Sequence, residues 1–192
     1  EPLTTFSFIA AATEKIGLAT TVLILPQRQT VLVAKQVAQL AILSNNRFHL
    51  GIGVGWNKIE YEGLNETFEN RGRRQEEQVM VMRDLWTQDS LDFEGEFHRI
   101  DKASINPRPE ESIPIWFGGS APALIERVAR LGDGWMPLMG ANEKAAECIR
   151  KIREAREREG KNMDGFGIQA QAQYKGGTPD IWKKNATSWY EM

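Results

Sequence analysis

Apolar residues along the chain follow two alternating rhythms. Phe6, Ile9, Ala10 and Thr13 recur at helical spacing behind Glu1-Pro2, an acid and a proline that suit an open helix N-terminus. Ile16 to Leu25 is a mostly apolar, β-branched run stopped by Pro26-Gln27-Arg28. Thr30 stands where it can cap the next helix, in which Ala34, Val37, Leu40 and Ala41 keep a 3.6-residue period. Ser44-Asn45-Asn46 turns the chain into a strand from Phe48 to Val54. The pattern loosens from Asn57 to Asn70, then tightens into a helix over about 73–86 with Val79, Met82, Leu85 and Trp86 inward. Residues 89–109 alternate in short runs and end in Asn106-Pro107-Arg108-Pro109, which predicts a surface excursion built as a short hairpin. Ile113 to Phe117 is the next strand, and 122–131 a helix with Leu124, Val128 and Leu131 on one face. Gly132-Asp133-Gly134 then leads to a short strand, Trp135 to Leu138, and Asn142 caps an amphipathic helix through Glu159. Phe166 to Gln173 reads as a strand, and Thr178-Pro179-Asp180 starts a last helix carrying Ile181, Trp182 and Trp189.

Strands with near-continuous apolar runs, alternating with helices, predict a parallel sheet buried on both faces. Right-handed crossovers leave an open doubly wound sheet or a β/α barrel, and the five strands read here are too few to close an eight-stranded barrel. Two strands stop on glycine: Leu50-Gly51-Ile52-Gly53-Val54-Gly55-Trp56 and Ile115-Trp116-Phe117-Gly118-Gly119-Ser120. Ligands of α/β folds bind at such ends, where loops converge and helix N-termini present their N–H groups. Successive strand ends are expected to face one shared mouth.

The 192 residues suffice for one domain, 1–192, interrupted by the excursion at about 89–109. A net charge of -2 argues against nucleic acid as the main partner, and the mixed-sign stretch from Arg150 to Lys161 reads as a solvated helix face. No apolar run is long enough to span a bilayer and no signal-peptide pattern is present, so no membrane is expected and the cytoplasm is the expected setting. The single cysteine, Cys148, lies in a helical pattern and reads as a packed or surface thiol.

Gly51-x-Gly53-x-Gly55 brings its third glycine one position too early for a dinucleotide fingerprint. Alternate glycines instead allow close approach by a neighbouring strand or by a flat ligand. Gly118-Gly119-Ser120-Ala121-Pro122 reads either as an anion site, with a hydroxyl and open amides at a helix start, or as simple capping. Thr20 and Thr21 interrupt an apolar strand, where buried hydroxyls bond to nearby backbone. Trp56, Trp116 and Trp135 lie near strand ends and either wall a ligand or fill the core. His49 and His98 stand apart from metal-ligand spacings and read as structural. Glu69, Arg71 and Arg74 either orient a substrate or form an ion-pair network, and Glu60 and Glu62 are the carboxylates nearest the glycine-rich strand end.

Taken together, Leu18-Ala19-Thr20-Thr21-Val22-Leu23, Leu43 to Trp56, Phe68-Glu69-Asn70-Arg71-Gly72, Ile113 to Gly119 and Ala129 to Trp135 resemble the bacterial luciferase-like superfamily, and within it the deazaflavin (F420)-dependent oxidoreductases. The resemblance covers nearly the whole chain in order. It implies an α/β fold, the (β/α)8 TIM barrel of the luciferase-like type, here incomplete, with about five of eight strands and without the first two and the last. Such a piece would expose two parallel strand edges. It implies an oxidoreductase that moves hydride between coenzyme F420 and a small organic substrate. FMN with oxygen is the alternative, and a non-catalytic flavin-binding relative a third. By resemblance, Thr21 and Val22 match a strand-end bulge, often with a non-proline cis peptide, that supports the ring. Gly53, Gly55 and Trp56 match the adjoining wall, and Gly118, Gly119 and Ser120 the cofactor phosphate site. A homodimer is implied; a metal is not, and no catalytic acid or base is assigned.

Overall fold

The computed structural model describes residues 1–171 and 177–192. The chain divides into two compact units, Glu1–Ile115 and Trp116–Met192.

The first unit opens with α1 (Pro2–Ala12), whose first turn is closed by the Glu1 carboxylate accepting from Thr4 N at 3.0 Å. The run predicted as one strand from Ile16 to Leu25 is two, β1 (Leu18–Ala19) and β2 (Leu23–Ile24), both parallel to β3 (Phe48–Gly53). Leu18 pairs with Phe48 but Leu23 with Ile52, so residues 20–22 hold one residue more than the β3 stretch opposite them. The chain bulges there. Thr20 spans the break, its hydroxyl donating to Gly51 O at 2.7 Å, which is the backbone bond expected of a buried threonine.

A 3-10 turn (Leu25–Gln27) leads to α2 (Thr30–Leu43), which buries Val33, Ala34, Val37, Ala38, Leu40 and Ala41. Thr30 is not its cap. Gln29 occupies that position without a side-chain bond, and the Thr30 hydroxyl is committed to His98 and Gln78. The loosened stretch after Gly55 contains a helix, α3 (Lys58–Gly63), capped by Asn57 Oδ1 on Ile59 N at 3.2 Å. Only Tyr61 of α3 is buried, so the helix shows no apolar periodicity. In α4 (Arg71–Thr87) the inward face carries Val79, Met82, Leu85 and Trp86, as the periodicity predicts, and also Gln75, Glu77 and Gln78. The antiparallel pair β4 (Leu91–Glu94) and β5 (Arg99–Ala103) follows.

In the second unit the last three residues of β6 (Ile115–Gly118) pair in parallel with β7 (Gly134–Met136), and β7 with β8 (Gly167–Ile168). Their register aligns Trp116, Gly134 and Gly167 in one row. The Trp116 indole lies across that row: a Cβ would fall 2.4 Å from it on Gly134 and 2.1 Å from it on Gly167. One side chain therefore fills the space of three, and only glycine fits at the other two. Helices α5 (Pro122–Leu131) and α6 (Glu143–Arg158) pack against each other, with Asn142 capping α6 through Ala145 N at 3.0 Å, as expected. The strand predicted to reach Leu138 stops at Met136, and of that predicted from Phe166 to Gln173 only β8 is strand among the described residues, its last two positions lying outside them. Helix α7 (Pro179–Tyr190) closes the chain and buries none of its side chains. Among the described residues no helix is long and apolar enough to cross a membrane, and no three His, Cys, Asp or Glu side chains are grouped to hold a metal.

Candidate functional site

The bulge between β1 and β2 places Thr21 at the surface and Val22 half-buried, and the Thr21–Val22 peptide bond is cis. Val22 leans on β3: a Cβ on Gly53 would lie 2.6 Å from Val22 Cγ2. Two residues on, Gly55 has φ +67, and a Cβ there would meet Ile24 Cγ2 at 3.0 Å. Of the two readings of Gly53 and Gly55, close approach by a neighbouring strand is therefore the one the geometry displays. The glycines receive Val22 and Ile24, and Val22 and Thr21 form the surface beyond them.

The chain leaving Gly55 is held from below. Tyr61 donates its hydroxyl to Val54 O at 2.6 Å, and burial pushes its phenol up to about 12, against the smaller opposing pull of the Arg71 and Arg74 charges. The phenol thus stays a donor at ordinary pH. Trp56, 86% exposed, projects next to this anchored carbonyl. Glu60 does not face a free site: its two oxygens accept from Asn57 Nδ2 and Gln27 Nε2, both at 3.1 Å. Glu62 lies on the same helix beside Lys58 at 3.9 Å. Arg74 binds Glu66 through both guanidinium nitrogens, Arg71 stacks at 3.7 Å over the Phe68 ring, and Glu69 pairs with Lys58 at 3.3 Å. The 69–74 cluster is an internal network of the α4 entry.

His98 is structural, but it is not isolated. Its Nδ1 sits 2.8 Å from Glu77 Oε1 and its Nε2 2.5 Å from Thr30 Oγ1. Thr30 Oγ1 also accepts from Gln78 Nε2 at 3.0 Å, and Gln78 reaches Arg28 O at 3.0 Å and Leu25 O at 3.3 Å. A consistent set of protons has Thr30 donating to Nε2 and the Nδ1–H donating to Glu77. Sequence reasoning missed this network because its bonded partners lie 21 to 68 positions apart; buried Glu and Gln on the apolar face of α4 were the available signal. His49, half-buried in β3, has its pKa lowered by burial.

In the second unit β6 ends at buried Gly118. Gly119 has φ +123, a conformation that side chains rarely adopt. Its N–H donates to Met136 O at 3.3 Å and its carbonyl accepts from Trp135 Nε1 at 2.7 Å. Ser120 does not cap the following helix. Pro122 at its first position keeps the preceding residue extended, so Ala121 (φ -67, ψ 145) becomes the cap and supplies no side-chain bond. Pro122 has no N–H, and the Leu124 and Ile125 amides donate to Ala121 O at 2.9 and 3.1 Å, so the donors offered at this positive helix end are the half-buried Ser120, by amide and hydroxyl, and the Ala123 amide. This chemistry fits a phosphate. The exposed Thr21, the half-buried Val22 and the bare indole of Trp56 offer the apolar and peptide surface that fits a flat ring.

The sequence matches the luciferase-like monooxygenase family over residues 1–174. An F420-dependent glucose-6-phosphate dehydrogenase of Mycolicibacterium gilvum is 32% identical over 189 residues, covering 94% of this chain and 56% of that protein. The pyrimidine monooxygenase RutA of Allorhizobium ampelinum is 33% identical over 175 residues, covering 86% of this chain and 47% of that protein. Among solved structures, the monooxygenase RslO1 from Streptomyces bottropensis superposes with a TM-score of 0.78 at 21% identity, over 100% of this chain and 61% of that one. That likeness shows the fold, an incomplete α/β barrel of the luciferase-like type. The chain spans about half the length of the curated relatives it matches. By the extent of these matches, the chain belongs to the luciferase-like monooxygenase family.

Proposed function

We propose that the protein is an oxidoreductase that uses coenzyme F420 to move hydride to or from a small organic substrate. The observation that carries this is the turn after β6, where Gly119 takes a left-handed conformation and α5 begins without a side-chain cap. Such a turn favours an anion through its amides and the positive helix end, and a cofactor phosphate is the anion the family uses. The similarity to an F420-dependent dehydrogenase along most of the chain supports the same reading.

In this reading Gly118, Gly119 and Ser120 hold the phosphate. Thr21 and Val22 support the ring, Gly53 and Gly55 let that support close onto β3, and Trp56 flanks it. A bound deazaflavin supplies two-electron hydride chemistry. The protein's part is to orient the ring, exclude water and keep the phosphate fixed. No acid or base is assigned, since Glu60 is engaged by Gln27 and Asn57. The protein works in the cytoplasm as a homodimer.

A second reading, an FMN-dependent monooxygenase using oxygen, is favoured by the similarity to RutA. Titration of the purified protein separates the readings. Quenching of deazaflavin fluorescence with hydride transfer supports the first. Tight FMN binding with oxygen consumption supports the second. Binding without turnover marks a non-catalytic relative, and no binding of either cofactor overturns all three.

A further inference from the structure

We propose that Trp135 is a positioning residue of the phosphate turn: its indole N–H sets the direction of the Ser120 amide. The proposal rests on the reading of Gly118-Gly119-Ser120 as the phosphate seat, and it changes what each of those residues does there.

Gly119 has both of its polar backbone groups tied to β7. Its N–H donates to Met136 O at 3.3 Å, so that amide is committed within the protein. Its carbonyl accepts from Trp135 Nε1 at 2.7 Å. Trp135 is 0% exposed and among the largest fully buried side chains, so its ring is held by packing. An indole has one donor and no acceptor, and in a buried position that donor must find a partner. Gly119 O is that partner, which accounts for an indole where phenylalanine would give nearly the same apolar burial.

The consequence lies in the next peptide group. The Gly119–Ser120 bond is trans, because the cis bonds of the described residues are Thr21–Val22 and Asn106–Pro107. In a trans peptide the C=O and the following N–H point in opposite directions. A bond that draws the Gly119 carbonyl toward Trp135 therefore turns the Ser120 N–H away from β7. Gly119 contributes its φ of +123, Trp135 contributes the orientation, and Ser120 contributes the donor.

Trp135→Phe deletes the N–H and keeps most of the ring. The test compares affinities for FMN and for riboflavin, which lacks the phosphate, and for F420 and its phosphate-free deazaflavin core. The wild-type protein is expected to prefer the phosphate-bearing form of the pair it binds. Trp135→Phe should lose about tenfold in affinity for that form, the equivalent of one hydrogen bond, with little change for the phosphate-free form. Faster hydrogen exchange of the Gly119 amide in the unliganded variant is expected as well. Equal losses on both forms would show a merely structural role, and an unchanged phosphate preference would show no role; either result overturns the proposal. A wild-type protein without preference for phosphate overturns the phosphate seat itself, and the positioning role with it. If Trp135→Phe does not fold, benzothienylalanine at position 135 removes the same N–H with ring volume conserved, and the same comparison applies.

Discussion

Replacing Glu77 with alanine should loosen the β4–β5 pair from α4. Glu77 is only 8% exposed, and its carboxylate accepts from three N–H groups, Glu96 N, Phe97 N and His98 Nδ1, each at 2.8 Å. Gly95 is bare for the same contact, since a Cβ there would lie 2.5 Å from the carboxyl carbon. A hydrogen bond to a charged group contributes about 1.5–3 kcal/mol. Water recovers part of that at the half-exposed turn, so Glu77→Ala should cost about 3 kcal/mol for the three bonds together. For a chain of this size that is a drop in Tm of about 6–12 °C. Glu77→Gln keeps one acceptor and should fall between the two. Burial opposes ionisation of Glu77, but the bonds from His98, Phe97 and Glu96 outweigh it and hold its pKa below the usual carboxylate value. The stability tied to that ionised form is present above the unfolded carboxylate pKa of about 4.3 and is lost as pH falls through the lower folded value. The wild-type stability curve should therefore descend more steeply below about pH 4 than that of Glu77→Gln. Thermal unfolding from pH 3 to 7 measures both effects. A Tm for Glu77→Ala within about 2 °C of wild type, less than the shift of one lost bond, would refute the assignment.

Gly53→Ala places a methyl 2.6 Å from Val22 Cγ2, an overpacking expected to cost about 1–3 kcal/mol and to weaken flavin binding by displacing Val22; unfolding and cofactor titration on the same samples check both. Gly167→Ala puts its methyl 2.1 Å from the Trp116 indole, so the ring must move; a loss of about 2–3 kcal/mol with a changed tryptophan fluorescence spectrum is expected, and an unchanged spectrum would contradict the packed row. Arg47→Met strips the donor from four carbonyls, Ala10 O at 3.1 Å and Thr13 O, Ile16 O and Ser44 O at 2.7 Å, and should lower stability in urea by about 2–4 kcal/mol with no change in m-value.

The alternation of strand and helix was legible because each signal is local. Glu1 and Asn142 cap their helices as read, since a cap needs only an amide two or three residues on. Thr30 and Ser120 did not, for two different reasons. The Thr30 hydroxyl is claimed by His98, 68 positions away, whereas the Ser120 position was decided by the steric demand of Pro122 on Ala121. The second case was readable in the sequence, the first was not. The glycine stops at Gly55 and Gly119 were visible, but what fills the space beside them was not. Ile24 and Tyr61 answer that for Gly55 and Leu124 for Gly119, whose carbonyl and amide are bonded to Trp135 and Met136.

By itself, then, the sequence determined the order of elements, the parallel sheet and the strand ends at which chemistry is expected. Periodicity, capping and proline geometry act within about four residues and so are written in the chain. The tertiary structure decided the one-residue excess between β1 and β2, the row of Trp116, Gly134 and Gly167, and the bonds joining Glu77, His98, Thr30 and Gln78. Each depends on which residues stand opposite one another after pairing and packing, and a strand register or a side-chain partner dozens of positions away leaves no local trace.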